Sequence, residues 1–349
     1  MSRRWRVWIV LASMALGTFS AAGQSSAPAG APSASQPSSS GEIKATLLHI
    51  NDSHGQLAGP PGAMRTGGIA RLATVVQQAR QAPQSGTVFL VHCGDETSRG
   101  DALTMRSGGV ANMTLMNYLK FDMMTPGNGE FYLPLPALQS WMKSARFPFL
   151  AANVTTADDK PLAESYIIRQ AGPVRIAFFG LCFARDEELK ADDLKLADAL
   201  ATARALVPRL RKQADVVVAV THLGLLDDIV LANSVEGIDV ILGGHTHTSL
   251  EHGYRAKGPG GAGVLICQAG DQYRYCGQVT LTFAPAEGGG YRISSATPRL
   301  IPLDEKVKPD PVVAAMLARL SGEGAARPAS TRQTPPRRTG ATAQPATTR

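Results

Sequence analysis

The chain alternates between short apolar runs and longer segments in which apolar residues recur every three or four positions. The short runs predict buried strands, because they are rich in β-favouring residues and are bounded by polar residues or glycine. They lie at 43–50, 87–91, 121–125, 147–154, 174–183, 215–220 and 238–242. The periodic segments predict helices at 67–82, 108–119, 135–145 and 196–213. This order of strands and helices predicts an α/β protein built from β-α-β units.

The pattern changes after residue 242, where the helical segments stop. Apolar runs at 264–268, 277–283 and 291–295 follow one another with only short polar or glycine-rich connections. They predict antiparallel strands that close the fold. Residues 311–320 then predict a short helix that begins at Pro311, since proline suits the first turn of a helix.

The two ends of the chain have compositions that do not suit a folded domain. Residues 1–23 combine arginines, an apolar run and small residues, in the order of a secretory signal peptide. Residues 24–41 have little apolar surface to bury and predict a disordered linker. We therefore expect one domain over 42–320 and a disordered basic tail, rich in Pro, Ala and Thr, over 321–349. The protein is expected to be exported, periplasmic or secreted, with no stable membrane span after signal cleavage.

The formal net charge of the chain is +7, and its carriers lie at the two ends. Residues 1–23 carry +3 and residues 324–349 carry +5, which leaves −1 for everything between them. A basic surface on the folded domain is therefore not predicted. Because such a surface dominates nucleic-acid affinity, no nucleic-acid partner is indicated.

The chain has 4 cysteines, a number compatible with disulfides in an exported protein. Cys267 and Cys276 are the expected pair if one forms, because they lie on two neighbouring apolar segments that could be adjacent strands of a hairpin. Buried free thiols are the alternative.

Polar side chains with metal-binding chemistry follow the predicted strands at the points where they end. In an α/β sheet the carboxyl ends of parallel strands meet in one crevice, so these side chains are expected to converge. Oxygen and imidazole nitrogen ligands together suit Mn, Zn or Fe better than Ca or Mg. The residues are Asp52, His54, Asp95, Asn128, His222, His245 and His247.

Five spaced motifs around these residues resemble those of the calcineurin-like metallophosphoesterases, and most closely the amino-terminal catalytic domain of the bacterial 5'-nucleotidase family. They are H-I-N-D-S-H-G at 49–55, G-D at 94–95, G-N-G-E-F at 127–131, T-H-L-G at 221–224 and G-G-H-T-H at 243–247. The resemblance covers residues 43–302. It implies a four-layer α/β/β/α sandwich with a dinuclear metal site at the carboxyl ends of the strands.

The same resemblance implies a role for each motif residue. One divalent ion would be held by Asp52, His54 and His247, the other by Asn128, His222 and His245, and Asp95 would bridge the two. A hydroxide held by both ions would attack the phosphorus of a small anionic phosphate ester. Asp95, Asn128 and Tyr132 are the candidate catalytic residues.

Two departures from the family pattern bear on the substrate. Family members have a histidine and, three residues later, an aspartate that assist the leaving group, whereas this chain has Gly129 and Tyr132 in those places. Members that act on nucleotides usually carry a further carboxyl-terminal domain that binds the base, whereas a disordered tail is predicted here. Nucleoside specificity is therefore not predicted, and leaving groups that need little protonation are favoured.

Three hypotheses about activity follow from this pattern. The first is an exported, dinuclear-metal-dependent hydrolase of phosphate esters. The second is hydrolysis of a sulfur-containing ester, because the bacterial sulfur-oxidising thiohydrolases resemble a branch of the same family. The third is a catalytically silent metal-binding protein that docks a partner.

Overall fold

The computed structural model describes residues 42–62, 66–97, 99–185 and 194–322. The strands are β1 Ile43–Ile50, β2 Thr87–His92, β3 Met123–Met124, β4 Val154–Thr156, β5 Tyr166–Ala171, β6 Val174–Cys182, β7 Leu194–Leu196, β8 Val216–His222, β9 Val240–Leu242, β10 Tyr254–Lys257, β11 Gly263–Cys267, β12 Tyr275–Pro285 and β13 Tyr291–Pro302. The helices are α1 Ile69–Gln81, α2 Ala102–Ser107, α3 Val110–Leu119, α4 Leu135–Lys143, α5 Ala199–Leu210, α6 Leu225–Ser234 and α7 Pro311–Ser321. The predicted signal peptide, the predicted linker and residues 323–349 of the predicted tail lie outside the described residues.

Two mixed sheets face each other. The first has the order β13-β12-β1-β2-β3, and the second has the order β10-β11-β9-β8-β6-β5. Strands β1, β2 and β3 run parallel, as do β6, β8, β9 and β11. The carboxyl ends of these parallel strands are where the predicted ligands lie.

Three buried clusters show how the layers are stacked. One lies between the sheets and includes Leu47 of β1 and Phe178 of β6. A second packs α1, α3, α4 and α7 on the outer face of the first sheet, and the third packs α5 and α6 on the outer face of the second. Because β8 is covered on both faces, it is nearly continuously apolar. The expected α/β/β/α sandwich is confirmed.

The helix predicted to begin at Pro311 is confirmed as α7. Asp310 precedes it and accepts hydrogen bonds from the backbone N–H groups of Val312 and Val313, so two donors of the first turn are satisfied. Helix α5 is shorter than predicted. It begins after Asp198, which caps it, because residues 194–196 form strand β7 instead.

The segments at 147–154 and 264–268 differ from the predictions. Around Phe149 and Leu150 only isolated bridges form, and regular pairing begins at Val154. Strand β11 pairs antiparallel with β10 but parallel with β9, so it extends the second sheet. The other two closing strands, β12 and β13, are antiparallel as predicted.

Of the two alternatives for Cys267 and Cys276, the pairing is wrong and the buried free thiols are confirmed. All four cysteines are buried free thiols. Cys267 ends β11 in the second sheet, whereas Cys276 lies on β12 in the first, and they face different clusters. The short connection between them crosses from one sheet to the other, which a hairpin interpretation of the spacing misses. Burial raises the pKa of both thiols to about 12.

Among the described residues, no helix combines the length and the apolar character needed to span a bilayer.

Candidate metal centre

The strand ends bring the predicted ligands together as expected. Asp52, His54 and His247 form one group, and Asp52, Asp95 and His222 form another; within each, one ligand atom per residue lies within 4.8 Å of the others. The first sheet supplies Asp52, His54 and Asp95, and the second supplies His222 at the end of β8 and the histidines after β9. The site therefore spans both sheets.

The loops that carry these ligands have strained backbones. Of the 9 non-glycine residues with positive φ among the described residues, Asp52, His54, Asp95, His245 and His247 are candidate ligands. Such left-handed conformations cost free energy and persist where the surrounding structure enforces them, which is typical of functional sites. Here backbone hydrogen bonds from Asp52 N to Gly94 O at 2.9 Å and from His54 N to Asp95 O at 2.8 Å hold the first loop against the second.

Asp52 is completely buried and has one carboxylate oxygen that accepts no hydrogen bond. Its Oδ2 accepts from Asn51 Nδ2 at 2.7 Å and from the backbone N–H of His245 at 2.8 Å. The other oxygen, Oδ1, lies 3.3 Å from His247 Nε2 and 3.8 Å from His222 Nε2. Burial alone would raise the pKa of Asp52, but His222, His247 and Asn51 outweigh it and lower the pKa to about 2. A buried carboxylate oxygen surrounded by imidazole nitrogens fits a divalent cation.

His222 is held in the orientation that a metal ligand needs. Its Nδ1 donates to the carbonyl oxygen of Cys93 at 2.7 Å, which leaves Nε2 free of a proton in the neutral ring. Nε2 lies 3.2 Å from Asn128 Oδ1 and 3.5 Å from Asp95 Oδ1. Although burial would lower the pKa of His222, the charges of Asp95 and Asp52 raise it.

Asp95 lies between the two predicted ligand sets. Its Oδ1 faces His222, while its Oδ2 lies 3.7 Å from His54 Nδ1. The backbone N–H of Gly129 donates to Oδ1 at 2.6 Å and fixes the carboxylate. A carboxylate with one oxygen toward each set is able to bridge two ions. Asp52, which belongs to both groups of nearby ligand atoms, is a second carboxylate in that position.

The remaining predicted ligands complete the same cluster. Asn128 Oδ1 lies 3.0 Å from His245 Nδ1, next to His222. His54 Nε2 lies 2.9 Å from His247 Nε2, and the imidazole of His247 is the most open of the set with 39% of its side chain exposed. Burial lowers the pKa of His54 to about 4, so its ring is neutral and available as a ligand.

Gly129 precedes a short 3-10 helix, Glu130–Tyr132, and Tyr132 is its last residue. Gly129 has φ −59° and ψ −38°, which any residue adopts. Tyr132 exposes 42% of its surface, unlike the largely buried ligands. The candidate catalytic role of Tyr132 stays a prediction.

Glu130 is a functional residue that the sequence interpretation missed. Its carboxylate is completely buried and accepts four backbone N–H groups, two on each oxygen, over 2.7 to 2.9 Å. The donors are Asp95, Glu96, Thr97 and Gly127. Glu130 thus ties the loop after β2 to the loop after β3. The only signal was its presence inside the G-N-G-E-F motif.

We expect Glu130→Gln to lower the free energy of unfolding by about 3 kcal/mol or more. A carboxamide replaces one accepting oxygen with an NH2 group, which would oppose two buried N–H donors. Urea unfolding of the metal-free protein measures this effect without a contribution from bound ions. The exposed Glu236→Gln is the matched control, and a loss below about 0.5 kcal/mol for Glu130→Gln would contradict this role.

A second missed element is a buried network around Glu96. Glu96 Oε2 accepts from Tyr273 Oη at 2.9 Å, contacts His92 Nε2 at 3.1 Å and accepts from Ser53 Oγ, while Oε1 accepts from Asn112 Nδ2 at 2.7 Å. Ser53 lies between two ligands in sequence, and Glu96 follows Asp95. The network therefore links the loop that contains Asp52 and His54 to the loop that contains Asp95.

Arg99 is the third missed residue, and it is exposed. Its Nε lies 3.1 Å from His54 Nδ1 and its Nη2 lies 3.0 Å from His54 Nε2. A guanidinium cannot ligate a metal ion, but its planar fork matches the oxygens of phosphate. Nothing in the spacing of the metal ligands pointed to it.

Comparison with known proteins agrees with this geometry. The model of the family described as calcineurin-like phosphoesterase matches residues 45–249. The uncharacterized metallophosphoesterase YunD of Bacillus subtilis (strain 168) is 31% identical over 245 residues, which is 68% of this chain and 50% of YunD. A crystal structure of a 5'-nucleotidase precursor from Thermus thermophilus is 25% identical, has a TM-score of 0.72, and is matched over 80% of this chain and 59% of its own.

The fold is also similar to that of the sulfate thiohydrolase SoxB of Thermus thermophilus. That structure is 22% identical with a TM-score of 0.68, and the match covers 80% of this chain and 60% of SoxB. The chain spans about half the length, or less, of the first curated relatives that it matches. The family match, the order of the motifs and the convergence of their ligands lead to one conclusion: the chain belongs to the calcineurin-like phosphoesterase family.

Proposed function

We propose that the chain is a hydrolase of small anionic phosphate esters that depends on two divalent metal ions. The observation that carries the proposal is the buried Oδ1 of Asp52, which accepts no hydrogen bond and lies within 3.9 Å of His54 from the first sheet and of His222 and His247 from the second. Burying a charged oxygen in this way costs free energy unless a cation binds it. The arrangement of the neighbouring ligands supports two ions rather than one, because Asp95 has one oxygen toward each set.

Each ligand has a role in this proposal. Asp52, His54 and His247 hold one ion, Asn128, His222 and His245 hold the other, and Asp95 bridges them. When bound, two such ions supply an activated water and share the charge that develops on the phosphoryl oxygens. The mixture of oxygen and nitrogen ligands favours Mn, Zn or Fe. Glu130 and the Glu96 network keep the ligand loops in place while the substrate binds.

Turnover of 4-nitrophenyl phosphate by the metal-loaded protein tests the proposal. We expect hydrolysis that is lost on chelation and restored by adding Mn, Zn or Fe. Absence of turnover with two ions bound would instead favour the silent metal-binding hypothesis, in which the site serves to dock a partner.

Sulfur-ester hydrolysis is the second candidate, and two arguments favour it. The fold is similar to that of SoxB, and the family resemblance implies that Gly129 stands where the usual leaving-group acid would be. A sulfur leaving group carries negative charge readily and needs little protonation. A thiosulfonate substrate assayed in parallel separates the two activities: faster turnover of the thiosulfonate would replace phosphate esters as the main substrate class.

We further propose that Arg99 binds the phosphate group, and we expect Arg99→Gln to weaken the binding of inorganic phosphate about tenfold or more. The physical reason is the loss of a charge-assisted, bidentate contact. Titration calorimetry of the metal-loaded protein measures the dissociation constant. Arg106→Gln, at an exposed position of α2, is the control.

Metal affinity is expected to rise in Arg99→Gln, because a positive charge beside His54 is removed. A fall in metal affinity with unchanged phosphate binding would show that Arg99 only positions the imidazole of His54.

Export to the periplasm or the medium is part of the proposal and rests on the composition of residues 1–23. Sequencing the amino terminus of the protein expressed with its full chain tests it. A mature chain that begins near residue 24 is the expected result, and an intact amino terminus in the cytoplasmic fraction would contradict it.

A further inference from the structure

A cavity of about 370 Å³ opens at the carboxyl ends of β6 and β8, beside the metal centre. Its apolar walls come from the end of β6, the start of α5 and the exposed side of α6. They include Phe183, Leu200, Leu223, Val230 and Leu231. The volume falls within the range of pockets that bind small organic molecules.

Two contacts connect this cavity to the ligands. The ring of Phe183 packs against the ring of His245 with centroids 5.1 Å apart. Leu223 lines the cavity and directly follows His222, which pairs with Cys182 across β6 and β8. A molecule with its phosphate at the metal centre can therefore place an attached group over Phe183 and into the cavity.

The negative charge of the cavity lining does not suit the phosphate group itself. Asp198 and Asp227 are the acidic residues of its described lining, which contains no Lys, Arg or His. An anionic group would be repelled, whereas an uncharged apolar group would bury surface against Leu200 and Leu223. Val230 leaves 50% of its surface exposed at the cavity, so apolar surface is available there for a ligand to cover.

We propose that this cavity binds the uncharged aromatic group of a phosphate monoester. The inference rests on the proposed function and names its substrate class. It agrees with the glycine at position 129, because a phenolic oxygen carries negative charge well and needs little acid assistance. In the reaction the oxygen of water bonds to phosphorus, the bond from phosphorus to the aryl oxygen breaks with its electron pair on that oxygen, and a proton from water leaves to solvent.

Non-hydrolysable phosphonates test the cavity separately from turnover. Calorimetry on the metal-loaded full chain compares inorganic phosphate, methylphosphonate and 2-naphthylphosphonate. We expect the naphthyl compound to bind about tenfold more tightly than the methyl compound in the wild type. Val230→Gln and Leu200→Gln are each expected to reduce this preference to about twofold or less, with inorganic phosphate binding unchanged.

Val312 offers a matched control, because it also exposes 50% of its surface but lies on α7, on the outer face of the first sheet. Val312→Gln should leave all three affinities unchanged. Equal affinity for the methyl and naphthyl compounds in the wild type would overturn the inference, as would a preference that survives both cavity variants. If the wild type bound neither phosphate nor any phosphonate, the proposed function itself would be wrong, which is a distinguishable result.

Discussion

Replacing Asp95 with alanine is expected to lower the turnover of an aryl phosphate by about three orders of magnitude and to reduce bound metal from two ions to one or none. The reason is geometric: Asp95 has one oxygen toward His222 and the other toward His54, so both ligand sets lose a donor. Loss of a shared ion removes several kcal/mol of charge stabilisation, and each 1.36 kcal/mol corresponds to about tenfold in rate. Elemental analysis after dialysis, together with initial rates, measures both effects.

The comparison with Asp52→Ala decides which carboxylate bridges the ions. If Asp95 is the bridge, Asp95→Ala should retain less metal per chain than Asp52→Ala; the opposite order would assign the bridge to Asp52. Asp158→Asn, whose carboxylate is 59% exposed, is the control for general charge effects. One ion or none in the wild type, purified with ample metal, would contradict the dinuclear assignment.

The rate of hydrolysis is expected to depend steeply on the acidity of the leaving group. General acid assistance is typically worth about 10² to 10⁴ in rate, and Gly129 cannot supply it. Alkyl esters such as nucleoside monophosphates should therefore react slower than nitrophenyl esters by about that factor. A series of phosphate monoesters with leaving groups of graded acidity measures the dependence.

The double variant Gly129→His with Tyr132→Asp is expected to make this dependence shallower, because it introduces the histidine and aspartate that the family resemblance implies for these two positions. The backbone of Gly129 has an ordinary right-handed conformation, and its hydrogen bond to Asp95 uses only the main chain, so a histidine can keep both. Tyr132→Phe is the control for proton donation by the phenol, and little change is expected. Wild-type cleavage of a nucleoside monophosphate within about tenfold of a nitrophenyl ester would show that another residue supplies the proton.

Much of the candidate metal centre could be predicted because the proposed ligands lie at the ends of easily recognised strands. Asp52, Asp95 and His222 each come at the end of an apolar run, and parallel strand ends must meet. The order of the motifs then indicated the fold class through the family resemblance. This inference does not depend on individual side-chain contacts.

The supporting residues could not be predicted, because their roles depend on contacts between loops distant in sequence. The role of Glu130 depends on the backbone N–H groups of residues 95–97, which donate hydrogen bonds to its carboxylate. The sequence alone does not show these contacts. Tyr273 reaches Glu96 across 177 residues of sequence. The expected pairing of Cys267 with Cys276 was wrong for the same reason, because spacing along the chain does not show which sheet a strand joins.

Because the candidate ligands come from both sheets, metal affinity is expected to report whether the whole domain has folded. Asp52 and Asp95 come from the first sheet and His222 and His247 from the second, so a chain in which only one sheet has formed holds at most part of each set. Ions that bind only the fully packed form add their binding free energy to its stability by linkage. Removal of the ions by a chelator should then lower the stability of the whole sandwich and not of one loop alone. Metal supply would thereby set how long the protein survives proteases, independently of any substrate.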